Sequence, residues 1–239
     1  MTNIADFRRG LLTLVSFMKN IPRPGLINEY VFVTPRRIAN HSVCSMPSSK
    51  FRIRCVHELS LLGVSKKQLR KFVWPSKEAN DHKTWKYQMV LKIYAASIIH
   101  TEFFLTMDSD TILAREVQSI DWFLPFGKAR VVGEQRKWHD RWYAAAERLL
   151  GSTGCLDEDP DAKMIGVTPA VLHRDTMLSL LARIESLYGP KKNGILKNLI
   201  GPNSIAWTEY SAYRVMGCLR RDFFLYHTYK LANNSPPNL

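Results

Sequence analysis

The feature that most restricts the fold of this chain is an apolar run that ends in two carboxylates. Phe103-Phe104-Leu105-Thr106-Met107 has the composition of a buried strand, and it stops at Asp108-Ser109-Asp110-Thr111. A helical pattern over residues 85–99 leads directly into it. Helix followed by buried strand is the repeating unit of α/β layered domains, and open sheets of that class hold their ligands beyond the C-terminal ends of the strands. Two carboxylates so placed repel each other unless a proton or a cation intervenes. Hard oxygen ligands suit Mn²⁺ or Mg²⁺, and such an ion would also neutralise charge on neighbouring phosphates. The plainer alternative is a polar turn that closes a strand, with Ser109 and Thr111 capping the next segment.

The rest of the chain alternates in the same way. Apolar residues at 7, 11, 14, 15 and 18 mark a helix over residues 7–19, ended by Pro22 and Pro24. Tyr30-Val31-Phe32-Val33-Thr34 reads as a strand stopped by Pro35, and residues 51–56 as another, before a basic stretch at 66–71. Strands at 128–132 and 164–167, helices at 138–150 and 174–188, and a helix start near Thr208 complete the pattern around an acidic loop at 151–161. The expectation is one mixed α/β domain over residues 1–232, with a largely parallel sheet flanked by helices. A flexible tail is expected over residues 233–239.

With 34 basic and 21 acidic residues the net charge is +13, which favours anionic partners: nucleotide diphosphates, nucleic acid or acidic membranes. No zinc module, RNA-recognition signature or glycine-rich binding loop supports nucleic acid. Cys44, Cys55, Cys155 and Cys218 follow no metal-binding spacing and read as four reduced thiols, with a Cys44–Cys55 disulfide as the alternative. The N-terminal apolar stretch at 11–18 is interrupted by Thr13 and Ser16 and falls short of the ~20 residues a span needs. Arg8-Arg9 precedes it as in a signal peptide, but no small-residue cleavage site follows. These features point to a cytoplasmic protein without a transmembrane segment.

Three motifs in order resemble a little-characterised group of GT-A-type glycosyltransferases. They are Trp85-Lys86-Tyr87-Gln88 with Lys92, then Asp108-Ser109-Asp110-Thr111, then Thr208-Glu209-Tyr210. They match W-x-x-Q-x-x-x-K, D-[SA]-D-T and [ST]-E-Y, and the likeness spans residues 84–217. The resemblance implies a GT-A-like, Rossmann-like fold, a nucleotide-sugar donor, a hydroxyl acceptor and a divalent metal. It implies Asp110 as a direct metal ligand, with Asp108 on metal-bound water or the ribose, and His227 as a third ligand, although a lone histidine is more often structural.

Gln88 and Lys92 share a helical face with Trp85, so Lys92 can meet phosphate and Gln88 the nucleotide or sugar, with Ser109 beside them; a solvated lysine on an amphipathic helix is the alternative. Glu209 stands between Trp207 and Tyr210, a setting that raises a carboxyl pKa and suits a general base. Equally, Thr208 as N-cap with Glu209 in the first turn needs no catalysis. Trp138, His139, Asp140 and Trp142 offer an indole for sugar stacking, or simple packing.

GT-A domains open with a strand that cradles the base, whereas this chain opens on Ala5-Asp6-Phe7-Arg8-Arg9. The usual first strand therefore has no counterpart, and an uncovered edge is expected beside residues 30–34. An inactive relative and a basic binding domain stand as alternatives to the transferase. A haloacid-dehalogenase-type phosphohydrolase is more distant, because Ile112 stands where that family expects Thr or Val.

Overall fold

The computed structural model describes residues 4–22, 25–35, 38, 41–73, 80–156, 162–166, 168–189, 191–200 and 206–231. The tail at 233–239, the acidic residues at 157–161 and Val167 lie outside them. Helix α1 (Ile4–Asn20) buries Phe7, Leu14 and Phe17 on one face. Strand β1 (Glu29–Thr34) follows and lies parallel to β2 (Arg52–His57), with Glu29 opposite Arg52 and Thr34 opposite His57. Arg54 of β2 locks this pair from the side. Its guanidinium donates to both oxygens of Glu29, at 2.7 and 2.6 Å, and to the Ile98 carbonyl at 3.0 Å.

Helices α2 (Glu58–Leu62), α3 (Lys66–Val73) and α4 (Asn80–Ala95) come next. The chain then forms β3 (Phe103–Thr106), α5 (Ser119–Trp122), β4 (Ala129–Gln135) and α6 (Asp140–Leu149). Strands β5 (Lys163–Ile165) and β6 (Ala170–His173) lead into α7 (Arg174–Tyr188), α8 (Lys192–Ile200) and α9 (Glu209–Leu219). A short α10 (Phe223–Tyr226) and β7 (His227–Leu231) close the described chain. No helix among the described residues is long and apolar enough to cross a membrane.

The fold is mixed α/β, but the expected largely parallel sheet is replaced by three small ones. Besides β1–β2, β3 pairs antiparallel with β6, and β4 lies between antiparallel β5 and parallel β7. Side-chain periodicity reveals that a strand exists, whereas its direction depends on which edge the chain returns to.

Two apolar cores result. A small one joins Phe7, Leu14 and Phe17 to Phe32, Phe51 and Ile53. The larger one packs α4 (Val90, Ile93), α7 (Leu180, Ile184) and α9 (Tyr213, Val215) behind β3 and β6. A cleft of about 970 Å³ opens between the cores, lined by β1 on one side and by β3 and Asp108, Ser109 and Asp110 on the other. Among the described residues β1 pairs only with β2 and β3 only with β6, so each strand bordering the cleft has one partner.

The reduced-thiol expectation is corrected: Cys44 is bonded to Cys55 and Cys155 to Cys218. Spacing could not show the second pair, because folding brings together residues 63 apart in sequence. Closing a loop of that length stabilises a fold by about 4 kcal/mol in the chain-entropy account. Denatured without reductant, the protein should therefore expose no free thiol, and all 4 cysteines should titrate after reduction. A Cys155→Ser, Cys218→Ser variant should lose about 4 kcal/mol in urea denaturation; 4 titratable thiols without reductant would contradict the pairing.

Candidate functional site

The turn after β3 is held from two sides. From α1, the Thr13 hydroxyl donates to the Ser109 carbonyl at 2.8 Å, and Ser16 accepts from the Leu113 N–H at 3.2 Å. Asn20 adds a bond to the Leu113 carbonyl at 2.6 Å. From the β5–β6 connection, the Thr168 hydroxyl accepts the Asp108 N–H at 3.2 Å. Within the turn the Thr111 N–H returns to the Asp108 carbonyl at 3.2 Å. The polar residues Thr13 and Ser16, which interrupt the apolar stretch of α1, are thus explained: both are buried against this turn.

Lys92 stands at the centre of the site. Its ammonium lies 2.8 Å from Asp108 Oδ1 and 2.7 Å from Glu209 Oε1, and 5.3 Å from the centre of the Tyr210 ring. Glu209 is almost fully buried, at 3% side-chain exposure, while Asp108 is partly open at 42%. Burial alone would lower the lysine's proton affinity, but Glu209, Tyr210 and Asp108 outweigh it and hold the ammonium well above the usual lysine range. Lys92 is therefore a fixed cation and not a solvated side chain on a helix face.

Glu209 reaches it because α9 starts where it does. Thr208 accepts the Ser211 N–H at 3.0 Å and Ser211 accepts the Thr208 N–H at 2.9 Å, a reciprocal cap that sets Glu209 in the first turn. Tyr210 then bonds Thr106 at the end of β3, 3.0 Å away. The capping role and the ionic role of this segment coexist.

Lys92, Gln88 and Asp108 line both the large cleft and a second pocket of about 100 Å³. Ser109 and Asp110 face only the cleft; Trp85 and Glu209 face only the pocket. The pocket also holds His139 and Trp142, whose rings stack 4.3 Å apart and within 4° of parallel, with Trp85 6.1 Å from Trp142. His139 Nε2 meets Glu134 Oε2 at 2.6 Å, and both side chains are largely buried. Gly166 packs directly on the Glu134 carboxylate, where a Cβ would collide with it. Trp138, in the 3-10 turn before α6, lines neither cavity. Sequence reasoning missed Glu134, Gly166 and Thr168, whose roles depend on strand pairing.

His227 is not brought to Asp108 and Asp110. It sits at the start of β7 opposite Ala129, is 1% exposed, and pairs through Nε2 with the Tyr213 hydroxyl at 2.6 Å. Burial, aided by His173 and Arg214, pushes its pKa down to about 3. Among the described residues no group of three or more His, Cys, Asp or Glu could hold a metal unaided. Asp108 and Asp110 alone still match the sparse carboxylate sets that hold Mg²⁺ when substrate phosphates and water complete the shell.

A family model covers residues 3–238, nearly the whole chain. The protein belongs to DUF6492, a family of unknown function. No curated protein matches the chain.

Two outcomes follow from the burial of charge. Lys92→Met leaves the Glu209 carboxylate buried without its cation and should cost about 3–5 kcal/mol at neutral pH. Glu209→Gln in the same chain should recover part of that loss in a double-mutant cycle by urea denaturation. Additive single losses under about 0.5 kcal/mol would return Lys92 to a solvated surface. His227 has a folded pKa below the unfolded value of about 6.5. Its contribution is therefore present above that pH and is lost progressively as pH falls towards 3. His227→Gln should flatten stability against pH in this window by up to one proton, about 1.4 kcal/mol per pH unit. An unchanged slope would show that His227 is accessible to protons in the fold.

Proposed function

We propose that the protein is a glycosyltransferase that moves a sugar from a nucleoside diphosphate donor to an acceptor hydroxyl. The observation that carries this reading is the meeting of two cavities at Lys92 and Asp108, one large enough for a nucleotide sugar and the other walled by Trp85, Trp142 and His139. Clefts of about 300–1,000 Å³ suit ligands of this size. The donor diphosphate would lie at Lys92 and the Asp108–Asp110 turn, with Gln88 reaching the sugar or nucleotide. Asp110 and Asp108 are the residues that would hold Mn²⁺ or Mg²⁺. Such an ion supplies charge neutralisation for the departing diphosphate.

The acceptor would enter the small pocket, where indole faces suit a sugar ring. Its hydroxyl displaces the diphosphate from the anomeric carbon. A neutral His139 that donates Nε2–H to Glu134 would present its Nδ1 lone pair, the atom that would take the hydroxyl proton. Glu209, bound to Lys92, would serve as that cation's fixed counter-charge, and of the two roles weighed for it the general base would pass to His139. The two disulfides favour an oxidising compartment over the cytoplasm. An inactive relative is the second reading, favoured by the direct Lys92–Asp108 ion pair, which satisfies the site without a metal.

A thermal-shift screen of nucleoside diphosphate sugars with and without Mn²⁺ tests the donor assignment. At ligand about 100-fold above Kd, binding adds about 2.7 kcal/mol and should raise Tm by about 5–10 °C. Asp110→Asn should abolish the metal-dependent part of the shift and lower sugar transfer by about 2–4 kcal/mol of transition-state stabilisation. Parent-like transfer by Asp110→Asn would sink the metal site. Hydrolysis of a simple phosphate ester, without any response to nucleotide sugars, would favour a phosphohydrolase.

A further inference from the structure

Several of the most exposed apolar side chains gather at one end of one sheet. Strands β4 and β7 are parallel with Ala129 opposite His227, so the segments leading into them emerge side by side. The lead into β4 is a tight hairpin. Phe123 bridges Ala129, the Gly127 N–H donates to the Leu124 carbonyl at 2.9 Å, and Gly127 turns the chain at φ 82°. Its tip carries Phe126, 94% exposed. The lead into β7 is α10, with Phe224 and Leu225 at 57% and 66% exposure. Lys128 joins the two leads, donating from Nζ to the Phe224 carbonyl at 2.7 Å. Ile120, 47% exposed, adjoins them through its carbonyl, which accepts from Arg130 at 2.8 Å.

Single exposed apolar residues need no explanation, but a cluster on two adjoining tips does. Phe126 makes almost no use of its ring in the fold. Two cations flank the tips, Lys128 against the Phe224 carbonyl and Arg130 against the Ile120 carbonyl. Of the acids on this side, Asp121 is paired with Arg115 at 2.6 Å and Asp222 is buried against Arg220, while exposed Glu102 lies 4.0 Å from His173, whose ring stacks on Tyr226. Apolar tips flanked by cations complement acyl chains beneath anionic headgroups, and the +13 net charge draws the whole chain to such a surface.

We infer that the protein docks peripherally on an anionic membrane surface through the tip around Phe126 and the Phe224–Leu225 pair. The other end of β4 leads to Glu134 and His139, so docking here leaves the small pocket uncovered.

Flotation of the full chain with vesicles tests this, using phosphatidylcholine alone or mixed equally with phosphatidylglycerol. The parent should float with the mixed vesicles and remain with the protein fraction in their absence or with phosphatidylcholine alone. A Phe126→Ser, Leu225→Ser variant, with unchanged circular dichroism and Tm, should bind roughly tenfold more weakly for each side chain removed. A Phe126→Trp variant should show a blue shift of its fluorescence only with the mixed vesicles. Binding that is equal in parent and double variant would mean charge alone and overturn the inference. So would absent vesicle binding with self-association that the double variant abolishes, which would make the tip a contact between copies of the chain.

Discussion

The ammonium of Lys92 joins the three parts of the chain on which the site depends. It comes from α4, its partners come from the turn after β3 and from the first turn of α9, and the Lys92–Glu209 pair closes a separation of 117 residues. A buried cation must be matched by fixed anions, so this pairing dictates where α9 begins relative to β3. The Thr208–Ser211 cap and the Tyr210–Thr106 bond satisfy the same register from either side. Helix α9 then continues into the larger core through Tyr213 and Val215. Packing and site geometry are therefore set by one charge arrangement.

That arrangement also divides space. The cleft and the pocket share Lys92, Gln88 and Asp108, so anything bound in one cavity shares a charged wall with the other. The cleft side carries the open carboxylates Asp108 and Asp110; the pocket side carries the closed Glu134–His139 pair under stacked rings. In the proposed sugar transfer, polar and ionic groups would orient a diphosphate while aromatic faces orient the neutral partner, a division of labour in keeping with the solvent exposure of each side.

Local patterns made much of this legible. The run from Phe103 ends within two residues of Asp108, and the spacing of Trp85, Gln88 and Lys92 fixed the face that meets the site. Thr208 was readable as a cap because its mechanism is local. What escaped depends on long-range contact. Ala170-Val171-Leu172-His173 runs into α7 without a turn residue, which hid β6, and nothing in the spacing reveals that β3 and β6 are antiparallel. The position of His227 comes from its register opposite Ala129, and the Cys155–Cys218 bond from the contact of distant segments. Trp138 and Trp142 looked equivalent at helical spacing, but α6 begins at Asp140, so only Trp142 reaches the pocket.

The central claim is that Asp108 and Asp110 hold a divalent ion together with a nucleoside diphosphate beside Lys92. Electron paramagnetic resonance of free Mn²⁺, titrated with the protein in the presence and absence of a nucleoside diphosphate, tests it directly. The account predicts weak depletion of free Mn²⁺ by the protein alone, because two carboxylates that no third ligand joins among the described residues make a sparse set. Beyond the depletion that the nucleotide causes by itself, adding protein should remove more Mn²⁺, and Asp110→Asn should lose that extra binding. Diphosphate binding that is indifferent to Mn²⁺, or protein-dependent Mn²⁺ binding that survives Asp110→Asn, would contradict it.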